Sequence, residues 1–138
     1  MTPKISYQNP TIGEYNDLRD SVDWPTFAPY LVERALGNSL FSVVAHDNNG
    51  YILGMGRIVG DGAIYLHIQD VIVRPGFQRH GIGRLIMKEL LTFVEKIGGK
   101  NTNVGLMCSK GREEFYKDFG FTERPSQNFG AGMIRILS

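Results

Sequence analysis

The 138-residue chain predicts one α/β domain on a mixed sheet, with element order βααβββαβαβ. Three observations carry this. Two hairpin-linked apolar strands and a third strand precede any crossover helix, which excludes a doubly wound parallel sheet. A strongly apolar helix then opens on the run Gln78-Arg79-His80-Gly81-Ile82-Gly83-Arg84. A further strand, a short helix and a last strand follow, with no linker or repeat between them.

Lys4–Gln8 reads as the first strand. Thr11 with Glu14 three residues on is a capping-box signature, predicting a helix to about Ser21. A second helix is expected over Thr26–Leu36, stopped by Gly37-Asn38. Phe41–His46 and Tyr51–Val59 are strands joined by the turn Asp47-Asn48-Asn49-Gly50. Gly60-Asp61-Gly62 turns the chain into the strand Ile64–Val73, and Arg74-Pro75-Gly76 breaks it. The long helix runs to about Ile97. Val104–Cys108 reads as a strand and Lys110–Phe119 as a helix, with Gly120 where a left-handed C-terminal cap is needed. Met133–Leu137 is expected to be the final strand, after a Gly/Pro/Asn-rich loop.

Composition narrows the function. One core of this size stands without disulfides or metal. A net charge of +1 provides no field for nucleic acid or anionic membranes. No apolar run reaches membrane-spanning length, and Met1-Thr2-Pro3-Lys4 lacks a secretory core. The single Cys108 excludes an internal disulfide and fits a reducing, cytoplasmic setting. No His/Cys/Asp/Glu set has zinc-ligand spacing, so no metal is expected.

Strand, glycine-bearing turn and helix start together place backbone N–H groups at the positive end of a helix dipole, which suits a phosphate or pyrophosphate. The loop is not a Walker motif, because Gly81 is followed by Ile82-Gly83 where lysine and a hydroxyl belong. It is not a dinucleotide fingerprint either, since Gly83 is followed by Arg84-Leu85-Ile86. The pattern Gln/Arg-x-x-Gly-x-Gly/Ala resembles the pyrophosphate loop of the GCN5-related N-acetyltransferases (GNAT). Asp70-Val71-x-Val73-x-Pro75 before it fits that family, and Tyr116-x-x-x-Gly120-Phe121 resembles its Tyr-x-x-x-Gly-Phe signature. The resemblance covers nearly the whole chain.

That resemblance implies the GNAT acyl-CoA fold, acetyl-CoA as co-substrate and transfer of acetyl to a primary amine of a small molecule. A non-catalytic acyl-CoA-binding module and a protein or peptide N-acetyltransferase are the alternatives. Gln78, Arg79, His80, Gly81, Ile82, Gly83 and Arg84 would hold the pyrophosphate, mainly by backbone N–H groups. Val71, Ile72 and Val73 would offer strand backbone to the pantetheine arm where the strand is bulged and splayed. Ser109 stands where many members carry an asparagine. Monomer and homodimer both stay open.

Tyr116 is implied as the acid for the leaving thiolate; a packing tyrosine is the competing reading. Asp70, a carboxylate in an apolar strand, is either a general base or a structural cap on neighbouring N–H groups. His67 falls on the opposite face of a regular strand, so it joins Asp70 only if a bulge intervenes. Arg57 either holds a substrate carboxylate or snorkels to the surface. Trp24 and Phe27 line the acceptor site or pack helices. Cys108 as an acyl-cysteine lacks an evident activating neighbour.

Overall fold

The computed structural model describes residues 2–138, with elements β1 (Lys4–Ser6), α1 (Ile12–Ser21), α2 (Pro29–Gly37), β2 (Phe41–His46), β3 (Ile52–Gly60), β4 (Tyr65–Val73), α3 (Ile82–Ile97), β5 (Asn103–Gly105) and α4 (Glu113–Lys117). A five-stranded mixed sheet runs β1-β2-β3-β4-β5, antiparallel except for the parallel β4–β5 pair. The chain divides into two compact units, one ending at Gly105 and one from Leu106 to Ser138.

In the first unit the sheet is covered on both faces. Tyr15 and Leu18 of α1, with Val32 and Leu36 of α2, pack on Val44, Met55 and Ile72. On the other face, α3 lies against β3 so closely that its partners there must be glycine. A Cβ on Gly56 would stand 2.7 Å from Ile86 and 2.9 Å from Leu90, and one on Gly54 2.8 Å from the Ile72 carbonyl. Helix α1 starts where its sequence predicts: Thr11 and Glu14 form both halves of the capping box, at 3.1 and 2.9 Å.

Four expectations change. Helix α2 begins at Pro29 rather than Thr26, because the Asn16 carboxamide takes both backbone groups of Phe27, at 2.9 and 3.1 Å. A tertiary contact thereby outcompetes the local helix signal. The strand expected over Val104–Cys108 is reduced to Asn103–Gly105, and the helix expected over Lys110–Phe119 to Glu113–Lys117. Met133–Leu137 is not a strand, since no described residue pairs with it; alternation of apolar side chains alone does not make a ladder.

The decisive irregularity is in β4. Arg57 pairs with Gln69 but Met55 with Ile72, so Gly56 faces both Asp70 and Val71. This is a β-bulge, and Asp70 within it has φ +56°. The extra residue shifts the alternation, so that Gln69 and Ile72 lie on the same face. Pairing of β4 with β5 extends only from Tyr65 to His67.

Candidate active site

The sequence from Arg74 to Gly81 is anchored at its start. The Arg74 N–H donates to the Leu53 carbonyl at 2.7 Å, its Nε to Ile52 at 3.0 Å, and a terminal nitrogen to Asp17 at 2.6 Å. The guanidinium also covers the Tyr51 ring at 4.3 Å. Gln78 then closes the loop, its Nε2 donating to the Val73 carbonyl at 2.9 Å. Among residues expected to meet the cofactor, this carboxamide therefore has a structural task as well.

Gly81 is the N-cap of α3, with φ +84°. It supplies no side-chain acceptor to the first-turn N–H groups, which geometry denies intrahelical partners. A Cβ there would meet nothing within 4 Å, so conformation rather than crowding demands glycine. Arg79 also has a positive φ, 65°. Gly83 lies inside the helix and needs no unusual φ. Arg79, His80, Gly81 and Arg84 are exposed, while Ile82 and Ile72 are buried in the core. The last two have only main chain to offer a ligand. An open left-handed glycine at a helix start, flanked by exposed arginines, fits a pyrophosphate. Beyond the β4–β5 pairing, Val71 and Val73 are half-buried strand residues of the kind an extended ligand arm can bond.

Asp70 sits at the centre of a buried polar cluster. Oδ1 accepts from Arg19 at 3.0 Å; Oδ2 accepts from Arg57 Nε at 2.7 Å and from the Tyr15 hydroxyl at 2.8 Å. The side chains of Arg19, Asp70 and Arg57 are 12%, 6% and 13% exposed. Burial, then the Asp70 charge, pushes the Tyr15 phenol up to about 12. Arg57 also donates to the Ala35 carbonyl at 3.3 Å and the Ser39 hydroxyl at 3.1 Å, so it is not a snorkelling surface arginine. Nor is Asp70 a cap on nearby N–H groups: its hydrogen-bond partners are side chains.

Arg19 extends this cluster toward the segment from Trp24 to Phe27. Its Nε donates to the Pro25 carbonyl at 2.6 Å, and its guanidinium covers the rings of Phe27 at 4.7 Å, Trp24 at 5.3 Å and Tyr15 at 5.9 Å. Trp24 packs on the core and Phe27 is exposed. The bulge puts His67, two residues before Gln69, on the face where Asp70 meets α1; His67 is exposed, with Nδ1 3.1 Å from the Gln69 amide. Sequence reasoning alone misses Arg19, Tyr15, Asn16 and Arg74. Only the spacing of Tyr15 and Arg19 on one face of α1 hints at a joint role.

In the second unit, Tyr116 is half-buried on α4, a helix with no fully buried residue. Its ring meets Phe115 at 5.1 Å and Phe121 at 6.3 Å, both edge-on. Gly120 has φ +90°; its N–H donates to Lys117 and that of Phe121 to Tyr116, the two bonds of a Schellman cap. The signature's glycine and phenylalanine thus end the helix and clamp the tyrosine. Burial, then the neighbouring Cys108, raises the Tyr116 pKa, with Arg112 opposing. The Cys108 thiol is exposed and donates to the Ser109 carbonyl at 3.1 Å. Partial burial and then Glu113 push it up, away from the thiolate. Ser109 is exposed beside it.

The first unit is thus a five-stranded mixed α/β sheet whose bulged, partly unpaired strand β4 leads into a glycine-capped helix. The acetyltransferase (GNAT) domain model matches residues 13–137, and the chain belongs to that family. A probable acetyltransferase of unknown function from meticillin-resistant Staphylococcus aureus superposes with a TM-score of 0.89 at 27% identity, over 98% of this chain and 100% of that one. A histone acetyltransferase of Glycine max is 32% identical across 78% of this chain and 50% of its own length. A chloroplastic serotonin N-acetyltransferase of Oryza sativa is 29% identical across 90% of this chain and 62% of its own. The chain thus spans one half and 62% of these two relatives. No described helix is long and apolar enough to cross a membrane.

Proposed function

We propose that this protein moves an acetyl group from acetyl-CoA to a primary amine of a small molecule by direct attack. The observation that carries the reading is Gly81, a left-handed glycine opening α3 just after the bulged strand. Residues 78–84 would hold the pyrophosphate, and Val71 and Val73 the pantetheine arm. When bound, acetyl-CoA supplies an acetyl group already activated as a thioester.

The chain's own residues then orient and protonate. Tyr116, its phenol pKa raised by burial, keeps its proton at neutral pH and can donate it from Oη to a leaving sulfur. Cys108, held as a thiol, is a poor acyl acceptor, which favours attack by the amine itself. Asp70 has one oxygen with two donors and the other with one, and both are held by cations. That arrangement supports positioning of the bulge rather than proton removal. Water or an amine bound neutral serves instead. Phe27, fixed through Asn16 and Arg19, offers an apolar surface for a compact acceptor.

The test is free-thiol release from acetyl-CoA with a panel of arylalkylamines, polyamines, amino acids and a histone-tail peptide, with products identified by mass. Turnover with a small amine is expected. Tight acetyl-CoA binding without release would establish a binding module, and release with the peptide alone a protein acetyltransferase.

A further inference from the structure

The buried cluster around Asp70 holds more positive than negative charge. Arg19 and Arg57 share the single carboxylate of Asp70, at 3.0 and 2.7 Å. Tyr15 brings no second anion, because burial and then the Asp70 charge push its phenol up to about 12 and keep it neutral at neutral pH. One positive charge is therefore uncompensated within the cluster. The carboxylates of α1 are engaged elsewhere. Asp17 is taken by Arg74 at 2.6 Å and Glu14 by His46 at 2.9 Å, while Asp20 is exposed to water.

Each guanidinium also has one nitrogen that the protein does not use. Arginine carries its N–H donors on Nε and two terminal nitrogens. Arg19 donates from Nε to the Pro25 carbonyl and from Nη1 to Asp70. Arg57 donates from Nε to Asp70 and from Nη1 to the Ala35 carbonyl and the Ser39 hydroxyl. Neither Nη2 donates to a described residue. No buried side-chain nitrogen or oxygen among the described residues lacks a partner, so both Nη2 atoms reach the surface. The two guanidiniums hold one carboxylate and both cover the Tyr15 ring at 5.9 Å, so these open donors are neighbours.

We propose that Arg19 and Arg57 read a carboxylate on the acceptor, which makes the substrate an amino acid rather than a simple amine. The inference rests on the acetyl-transfer reading above. A planar carboxylate takes one N–H from each Nη2, in charge-assisted bonds that suit a guanidinium better than an ammonium. It brings a single negative charge, which matches the one positive charge uncompensated in the cluster; a phosphate dianion exceeds it. The Phe27 ring, 45% exposed and 4.7 Å from the Arg19 guanidinium, then receives the apolar part of the same molecule. A polyamine has nothing to accept these donors and meets a like charge. Asp70 holds both forks in place and does not touch the substrate.

Trp24 is the chain's only tryptophan and lies 5.3 Å from the Arg19 guanidinium, so its fluorescence reports occupation without any turnover. The unaltered chain is titrated with the N-acetyl derivatives of glycine, alanine, leucine and phenylalanine, each beside its amide, and with inorganic phosphate at matched ionic strength. At least one acid should give a saturable change, with its amide and phosphate weaker by about tenfold or more. Acid and amide indistinguishable in every pair, or phosphate as tight as the best acid, overturns the proposal. Arg19→Lys keeps the charge beside Asp70 but not the second terminal nitrogen; its preference for acid over amide should fall below about threefold. A preference kept in full by this variant, with unchanged far-ultraviolet circular dichroism, also overturns it. The titration of the unaltered chain decides the matter even if the variant misfolds. In turnover, leucine should exceed 3-methylbutylamine by about tenfold or more in kcat/KM, the difference lying in KM. Acid-selective binding without thiol release from acetyl-CoA would keep the carboxylate site and remove acetyl transfer. Release with both amines at equal kcat/KM would keep transfer and overturn the carboxylate reading.

Discussion

Replacing Asp70 by asparagine separates the structural reading of this residue from the catalytic one. Asparagine keeps the shape and tolerates the left-handed backbone at φ +56°, so the bulge itself is not strained by the change. What disappears is the charge between Arg19 and Arg57, at 3.0 and 2.7 Å. All three side chains are nearly nine-tenths buried or more, so solvent screening gives little relief. Removing one member of such a buried group costs about 3–5 kcal/mol, because the partners' charges are left uncompensated. At roughly 3 °C per kcal/mol for a chain of this size, Tm should fall by about 10–15 °C. Differential scanning calorimetry reads it directly. Well below the new midpoint, kcat should stay within about tenfold of the parent, whereas loss of a general base costs about 10²–10⁴. A Tm loss under about 3 °C would refute the idea that the cluster holds the bulge, and a folded variant with kcat down a thousandfold would restore Asp70 as the base.

Three further changes probe the remaining site. Gly81→Val must take a β-branched residue to φ +84°; acetyl-CoA affinity by calorimetry should drop about 100-fold or more, and near-normal affinity in a folded variant would remove this loop from phosphate binding. Tyr116→Phe keeps the edge contacts to Phe115 and Phe121, so kcat should fall roughly ten- to a thousand-fold with acetyl-CoA binding unchanged. Because the phenol pKa is raised, its proton is present below the ordinary tyrosine range and lost only above it. The parent's alkaline limb attributable to Tyr116 should thus lie above pH ~10, and a limb near neutrality would assign it elsewhere. Cys108→Ala should retain most activity, and a burst of CoA without acceptor, absent in this variant, would establish an acyl-enzyme instead.

The sequence by itself determined whatever depends on near neighbours. The Thr11–Glu14 capping box, the glycine at the start of α3 and the Gly120 cap behind Tyr116 are all interactions within one helical turn, and each stands where its residues predict. The family follows from the same short motifs. Tertiary structure decided the meaning of Asp70, His67 and Arg57. Asp70 is 55 residues from Tyr15, 51 from Arg19 and 13 from Arg57, and nothing local announces those bonds. His67 shares its face only because the strand carries an extra residue opposite Gly56, and strand parity cannot be read without that register. The start of α2 at Pro29 was likewise set by Asn16, eleven residues from Phe27. Met133–Leu137 has a strand's sequence but no described partner, because a strand exists only through the edge that pairs with it, and no single chain's periodicity specifies that edge.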